Sequence, residues 1–331
     1  MTNFIETNRR AWYNILIVHH LFVRGVKLLK VEQGTMTKNS ISQFLQNLKY
    51  LIKGFVLVAN VLPILSGFWL ALYFTNTTFT DHWESFVYLA IGSTLFMSGA
   101  LMLNNWYEVD LDREMERTQR RPTVTGAFSL QFVFYLGIGT SIIGFIFLLL
   151  TTIETAIYAL LAWITYVVFY TFWTKRRFTL NTVVGSVSGA FTPLMGWAAI
   201  TSANHIVPIV LFLILFIWQI PHTFAIAMRR YEEYKAAKVP MLPVVYGFEM
   251  TKRQNVVYVA CLLPLTVLLS SISIIFVVVA MILNVIWLWI AFRGVFKDDN
   301  EKYADTMFYY SLLYLVIVFG GLIVITLPIF H

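Results

Sequence analysis

The chain has 331 residues, 59% of them hydrophobic and 12% charged, with a formal net charge of +7 and a mean hydropathy of +0.72. A soluble globular chain is about half apolar and about a quarter charged, and a water-facing surface this apolar would aggregate, so the excess belongs against lipid. The single cysteine, Cys261, excludes internal disulfides and paired-cysteine metal sites.

Residues 1–45 read as a basic N-terminal extension, interfacial or disordered, with an uncleaved signal or anchor as the alternative. The apolar stretch Trp12 to Val23 resembles a signal core, but Arg24, Lys27 and Lys30 follow where a cleavage site would need small residues. Met36 is an alternative start that would make the residues before it dispensable.

Runs long enough to cross a bilayer as helices, about 17–25 residues, fall near 54–74, 85–106, 129–150, 154–173, 182–200, 206–228, 254–270, 273–292 and 307–328. Only Ser270-Ser271 separates the seventh from the eighth, so one long kinked helix is the alternative there. The 24 Lys and Arg fall in five places: eight before the first span, four in 107–128, three at 175–177, six in 229–253 and three between the last two spans. The connections 75–84, 151–154 and 201–205 carry none. By the positive-inside rule this alternation predicts an odd number of spans with the N-terminus cytoplasmic. The expected fold is therefore all-α: a polytopic bundle of nine transmembrane helices over residues 46–331, with the C-terminus outside. The longest loops lie on the cytoplasmic side, where function is expected.

The second span runs into Asn104-Asn105-Trp106-Tyr107-Glu108-Val109-Asp110-Leu111-Asp112. If the helix continues, Asn104, Glu108 and Asp112 share one face, with Asn105 at its edge and Asp110 pointing away. Two carboxylates and an amide at a membrane surface suit Mg²⁺, which takes one or two protein carboxylates and completes its shell from phosphate oxygens and water. Arg113, Arg117, Arg120 and Arg121 follow, placed to clamp a phosphate group; a solvated loop that anchors topology is the plainer alternative.

The fourth span carries Trp163, Tyr166, Tyr170 and Trp173 in one stripe. Packing or lipid contact is the default, and π faces that steady a carbocation are the sharper alternative. Lys175-Arg176-Arg177 closes the span as a topology signal or a phosphate contact, and Asn181 opens the fifth, where Gly185, Ser188 and Gly189 predict close helix packing. In the sixth span, Trp218-Gln219-Ile220-Pro221-His222 introduces polar groups at membrane depth, which usually line a functional cavity. Gln219, His222, Arg229 and Glu233 fall within an arc of roughly 80° if one helix carries them all. Pro221 is expected to kink that helix.

The pattern Asn-Asn-x-x-acid-x-Asp-x-Asp at 104–112, followed by Met-Glu-Arg-Thr and Arg-Pro, resembles the first motif of the protoheme IX farnesyltransferase (haem O synthase) family, a group of UbiA-type intramembrane prenyltransferases. Residues 171–197 are similar to its middle motif, and 218–222 with 240–245 to its third; Lys53 and Asn60 fit the first span. The resemblance implies transfer of farnesyl from farnesyl diphosphate to a vinyl group of protoheme IX, with Mg²⁺ as cofactor, in the cell membrane and facing the cytoplasm. It implies metal ligation by Asn104, Asn105, Glu108, Asp112 and Glu233. Diphosphate binding falls to Lys53, Arg117, Lys175, Arg176 and Arg229, and acceptor contacts to Trp218, Gln219 and His222. Asp112, His222 and Glu233 would be catalytic. Haem A synthase is the implied protein partner, and no nucleic acid is expected. Glu108, Val109, Thr223 and Glu233 depart from the family pattern, and an extra methylene in Glu shifts a ligand by about an ångström, which can cost roughly 10²-fold in rate. A prenyltransferase acting on a quinone precursor and a multispan transporter of an anionic substrate remain the alternatives.

Overall fold

A computed structural model describes residues 38–327, so the expectations placed on residues 1–37, including the alternative start at Met36, lie outside the described residues. The chain divides between Gln46 and Asn47, within helix α1 (Lys38–Leu51), and the site described below lies in the second unit.

Helices account for the fold. Helix α2 spans Gly54–Thr75 and α3 spans Trp83–Tyr107. Two short turns of helix follow, α4 (Val109–Glu114) and α5 (Pro122–Thr125). Then come α6 (Leu130–Leu149) and α7 (Ile153–Ile164), which continues as a π-helix over Thr165–Thr174. The fifth expected span is broken into α8 (Asn181–Ala190) and α9 (Thr192–Ala198). Helix α10 (Ile206–Arg229) runs through Pro221; α11 (Tyr231–Ala236), α12 (Leu242–Val267), α13 (Ile274–Val295) and α14 (Asn300–Ile325) complete the order.

Among the described residues, seven helices are long and apolar enough to cross a membrane. The two other expected spans have physical reasons to fall short. Pro193, which cannot donate to the turn before it, starts α9 and separates it from α8. Helix α12 is broken near its start, where Gly247 adopts φ 79°, and it carries Lys252 and Arg253 before its apolar run. Ser273 caps the start of α13, so α12 and α13 are separate helices. The protein is a multi-pass membrane protein. Its outer faces are apolar: Ile142, Ile143 and Ile146 on α6, and Ile275, Val278 and Ile282 on α13, are exposed.

Small residues set the closest helix contacts. A Cβ at Gly196 of α9 would lie 1.9 Å from the Ile64 carbonyl oxygen of α2, and one at Gly144 of α6 would lie 2.4 Å from the Phe96 nitrogen of α3. Backbone therefore meets backbone, as membrane helices require when lipid offers no hydrophobic drive to association. These contacts hold α2, α3 and α9 around a space that opens at the charged end of the bundle.

Candidate active site

The helical register expected from the sequence survives a break at Glu108. The Glu108 N–H donates to the Asn104 carbonyl (3.0 Å) and the Asp112 N–H to the Glu108 carbonyl (2.9 Å). Asn104, Glu108 and Asp112 therefore share a face that lines one pocket, and all three are buried. Each meets a partner from elsewhere in the chain. Lys53 Nζ donates to Asn104 Oδ1, and Asn104 Nδ2 donates to Thr171 Oγ1 at 3.1 Å. Lys175 Nζ lies 2.5 Å from Glu108 Oε2, and Arg121 Nη1 lies 2.5 Å from Asp112 Oδ2. Arg117 reaches the Tyr234 hydroxyl at 3.4 Å. Lys53 sits in the left-handed region at φ 49°, a conformation that costs energy for a non-glycine residue.

The pocket has a volume of about 330 Å³, within the usual range for ligand sites. Lys53, Glu108, Asp112, Arg117, Arg121 and Lys175 surround its mouth. Its depths are apolar and aromatic, with Phe96, Leu101, Ala159, Trp163, Tyr166 and Met195 among the wall residues. An apolar tunnel with a charged mouth matches an amphiphile that has an anionic head and a greasy tail.

The π-helix explains how Lys175 reaches this mouth. In an α-helix five residues turn about 500°, which would leave Lys175 about 140° away from Tyr170. With i→i+5 bonding, five residues make little more than one turn and bring the two nearly into line. The Lys175 N–H donates to the Tyr170 carbonyl at 2.9 Å, and Lys175 Nζ lies 5.4 Å from the centre of the Tyr170 ring. Tyr166 and Tyr170 stack at 5.6 Å along the same wall. Gly185 leaves room for the Tyr170 ring, and Gly189 for the Gln219 amide. Of the aromatic stripe, Trp163, Tyr166 and Tyr170 line the pocket, whereas Trp173 is exposed and packs on Phe169 and Phe178.

The electrostatics are those of a preformed anion site. Burial alone would raise the Glu108 carboxyl; attraction to Lys175, Lys53 and Arg121 outweighs it and leaves the group below its ordinary range. Burial would lower the Lys175 ammonium, but Glu108 holds it above the ordinary lysine value. Lys53 goes the other way: burial, then repulsion from Arg121, hold it well below that value despite nearby Glu108. A phosphate group at the mouth would relieve that repulsion.

Among the described residues, no group of three or more His, Cys, Asp or Glu side chains could hold a metal ion. Two carboxylates do face the mouth, and Glu108 Oε1 is buried without a hydrogen-bond partner. That set fits a hard ion that draws the rest of its shell from a diphosphate and water.

Of the residues to which the resemblance gave a metal, diphosphate, acceptor or catalytic role, Lys53, Asn104, Glu108, Asp112, Arg117, Lys175 and Gln219 line the pocket. The others lie elsewhere. Asn105 is buried and donates to the Leu51 carbonyl at 2.6 Å, tying α3 to the end of α1. Arg176 forks onto Asp110 at 2.6 and 2.7 Å, holding that carboxyl below its usual range. Arg229 pairs with Asp305 at 2.5 Å, its guanidinium 4.4 Å from the Phe308 ring centre. His222 stacks between Trp218 and Phe308, with Nδ1 2.7 Å from Ser311 Oγ, and Trp218 donates to the Ser311 carbonyl at 2.9 Å. Trp218 and His222 of α10 and Phe308 and Ser311 of α14 thus form one stacked column, with His222 Nδ1 paired to Ser311.

Glu233 is not on the helix that carries His222, because α10 ends at Arg229 and a new helix begins at Tyr231. It stands 3.9 Å from Arg117 and 3.0 Å from Arg230, one residue away from Tyr234, which lines the pocket. Tyr234 was not singled out, since one tyrosine in a charged loop has no spacing to mark it. Of the four arginines after the acidic motif, Arg117 and Arg121 line the mouth, whereas Arg113 and Arg120 are exposed.

Helices enclosing a greasy tunnel, with acids and bases paired at its mouth, define a membrane-embedded transferase site for a lipid diphosphate. The chain belongs to the UbiA prenyltransferase family, whose sequence profile matches residues 60–313. It is 49% identical over 294 residues to the protoheme IX farnesyltransferase of Oceanobacillus iheyensis, covering 88% of this chain and 94% of that one. The protein of the same name from Geobacillus thermodenitrificans is 48% identical over 288 residues, covering 87% and 94%. Among solved structures, the fold is similar to a digeranylgeranylglyceryl phosphate synthase (TM-score 0.69, 16% identity, 85% of this chain and 98% of that one). It is also similar to a UbiA homologue from Archaeoglobus fulgidus bound to GPP and Mg²⁺ (TM-score 0.60, 16% identity, 84% and 99%).

Proposed function

We infer that this chain transfers the farnesyl group of farnesyl diphosphate to a vinyl group of protoheme IX, giving haem O. The observation that supports this most is the tunnel with a charged mouth in a chain 49% identical to a protoheme IX farnesyltransferase. Glu108 and Asp112, with Asn104 beside them, would hold Mg²⁺ against the donor diphosphate. The ion, when bound, offsets the negative charge that builds on the leaving group. Lys175 and Arg121 now rest on the carboxylates that a metal would take, and both can turn to the phosphate oxygens. Lys53 and Arg117 complete the cationic ring. Charge developing on the diphosphate thus meets donors already in place.

As the bond between the farnesyl carbon and the diphosphate oxygen breaks, the allylic cation lies against Tyr166 and Tyr170, an attraction worth about 0.5–2 kcal/mol per ring. The vinyl π electrons form the new carbon–carbon bond. Water adds to the resulting cation and loses a proton, leaving a hydroxyethylfarnesyl group. Gln219 faces the tunnel and is the acceptor contact, while Trp218 and His222 brace the helix that carries it. Glu233 would orient Arg117 or help a second Mg²⁺, since its Oε2 is buried without a hydrogen-bond partner, 3.9 Å from Arg117. Residues 46–331 would carry the reaction in nine passes of the cytoplasmic membrane, seven by the long apolar helices and two by the broken α8–α9 and the shortened apolar end of α12, with the mouth on the cytoplasmic side. The product would pass to haem A synthase.

The test is the mass of the haem extracted after the protein is supplied with protoheme IX, farnesyl diphosphate and Mg²⁺. Farnesyl plus water added to the haem is the expected result. Unchanged haem, with diphosphate released only when a quinone precursor is supplied, would assign the other acceptor class. No diphosphate release with any acceptor, alongside flux into vesicles, would make the protein a transporter.

A further inference from the structure

The depth of the tunnel is set by the fold. It extends along α3 from Glu108 to Phe96, about 18 Å at a rise of about 1.5 Å per residue. Beyond Phe96 the space is filled. Phe96 is 5% exposed and packs against Phe145 (centroids 5.7 Å apart) and Trp163 (6.3 Å). Met195 of α9 and Ala159 of α7 close the same end and are buried, with Ala156, Leu148 and Phe68 packed behind in one cluster. Thr155 Oγ1 donates to the Met195 carbonyl at 3.2 Å and fixes that wall between two helices.

A chain of ordinary covalent geometry advances about 3.8 Å over three backbone bonds, so an isoprene unit of four bonds advances about 5 Å. Three units then need about 15 Å and four about 20 Å. The first length fits in front of Phe96 and the second does not. We propose that Phe96, Met195 and Ala159 form the wall that stops the donor tail and so restricts the enzyme to a prenyl chain of three isoprene units. The proposal rests on the prenyl-transfer reading of this tunnel and adds the residues that select the donor.

Length selection can be read without any acceptor. The thiolodiphosphates of geranyl, farnesyl and geranylgeranyl keep the head group and the tail but resist transfer, so their dissociation constants report fit alone. The detergent-solubilised wild-type protein should bind the farnesyl analogue best. Phe96→Ala and Met195→Ala should each raise the affinity for geranylgeranyl relative to farnesyl by about tenfold or more, the scale on which an apolar pocket discriminates by size. Ala159→Phe should do the reverse and favour geranyl. A competition of the three diphosphates with protoheme IX should show the same order in the masses of the products. Unchanged ratios in the folded variants would overturn the proposal. The opening and blocking variants act independently, so loss of one to misfolding leaves the others to decide. If the analogues sort by length while no prenylated haem forms, the haem reading fails and the wall stands.

Discussion

The Lys175–Glu108 pair separates catalysis from mere stability most sharply. Glu108 is 3% exposed and Lys175 14%, at 2.5 Å. Replacing Lys175 by Met leaves a buried carboxylate, and breaking a fully buried pair costs about 3–5 kcal/mol. Lys53 and Arg121 still attract Glu108, and the open mouth admits water, so the cost here should be nearer 2 kcal/mol. Glu108→Gln combined with Lys175→Met removes the unpaired charge and should recover most of that loss in a thermal melt. Activity should behave differently. Removing one preorganised donor to a developing negative charge costs about 10²–10³ in kcat, and neutralising Glu108 cannot replace it. Both Lys175→Met and the double variant should therefore show kcat/KM lowered by at least about 10²-fold in haem farnesylation. Recovery of activity together with stability in the double variant would refute the reasoning, because Lys175 would then serve only to balance Glu108.

Other outcomes follow from the same geometry. Asp112→Asn should lower kcat/KM by about 10²-fold or more, and raising Mg²⁺ should restore part of it if the ion is held there; a rate independent of Mg²⁺ would count against this. Arg229→Gln, at a half-exposed pair with Asp305, should cost about 0–1 kcal/mol and leave the KM for farnesyl diphosphate unchanged, as steady-state kinetics would show. Gly196→Ala places a Cβ 1.9 Å from the Ile64 carbonyl and should destabilise by about 1–3 kcal/mol in a thermal melt, with little change in the donor-length preference of what remains folded. The Glu108 carboxyl is held low in the folded protein, so its contribution to stability is present above the ordinary carboxylate pKa and is lost as pH falls through the lowered value. The acid limb of the melting temperature should accordingly flatten in Glu108→Gln. Burial and repulsion from Arg121 hold the Lys53 ammonium below its ordinary pKa, so diphosphate binding, which favours the charged form, should draw a proton from solution at alkaline pH; calorimetry in buffers of different ionisation enthalpy should detect this uptake, and Lys53→Met should abolish it.

Much of the site was legible because it depends on local periodicity. Asn104, Glu108 and Asp112 lie four residues apart, and that spacing alone placed them on one face even though the helix breaks at Glu108. The same rule failed for Glu233, because no pattern in residues 229–231 marked the end of α10 at Arg229. Lys175 was ambiguous for a related reason: the α-helical period turns it away from Tyr170, and only the π-helix brings both to the pocket. His222 stood out as a polar group at membrane depth, yet its Nδ1 is paired with Ser311 of α14 and its ring packs on Phe308. Those partners are about ninety positions away, beyond the reach of any local pattern. Pro193 breaking the fifth span was visible as a residue, though not its effect, since proline at a first turn can begin a helix as well as end one.

The central claim, that paired acids and bases at the tunnel mouth take a metal-bound diphosphate, is tested most directly by equilibrium binding of Mg²⁺ and farnesyl thiolodiphosphate, singly and together. With only two carboxylates at the mouth and no three-residue acidic or histidine cluster among the described residues, Mg²⁺ alone should bind weakly. Each ligand should tighten the other, and Glu108→Gln with Asp112→Asn should abolish that coupling. Tight Mg²⁺ binding without the diphosphate, or equal affinity for the analogue with and without Mg²⁺, would contradict the account.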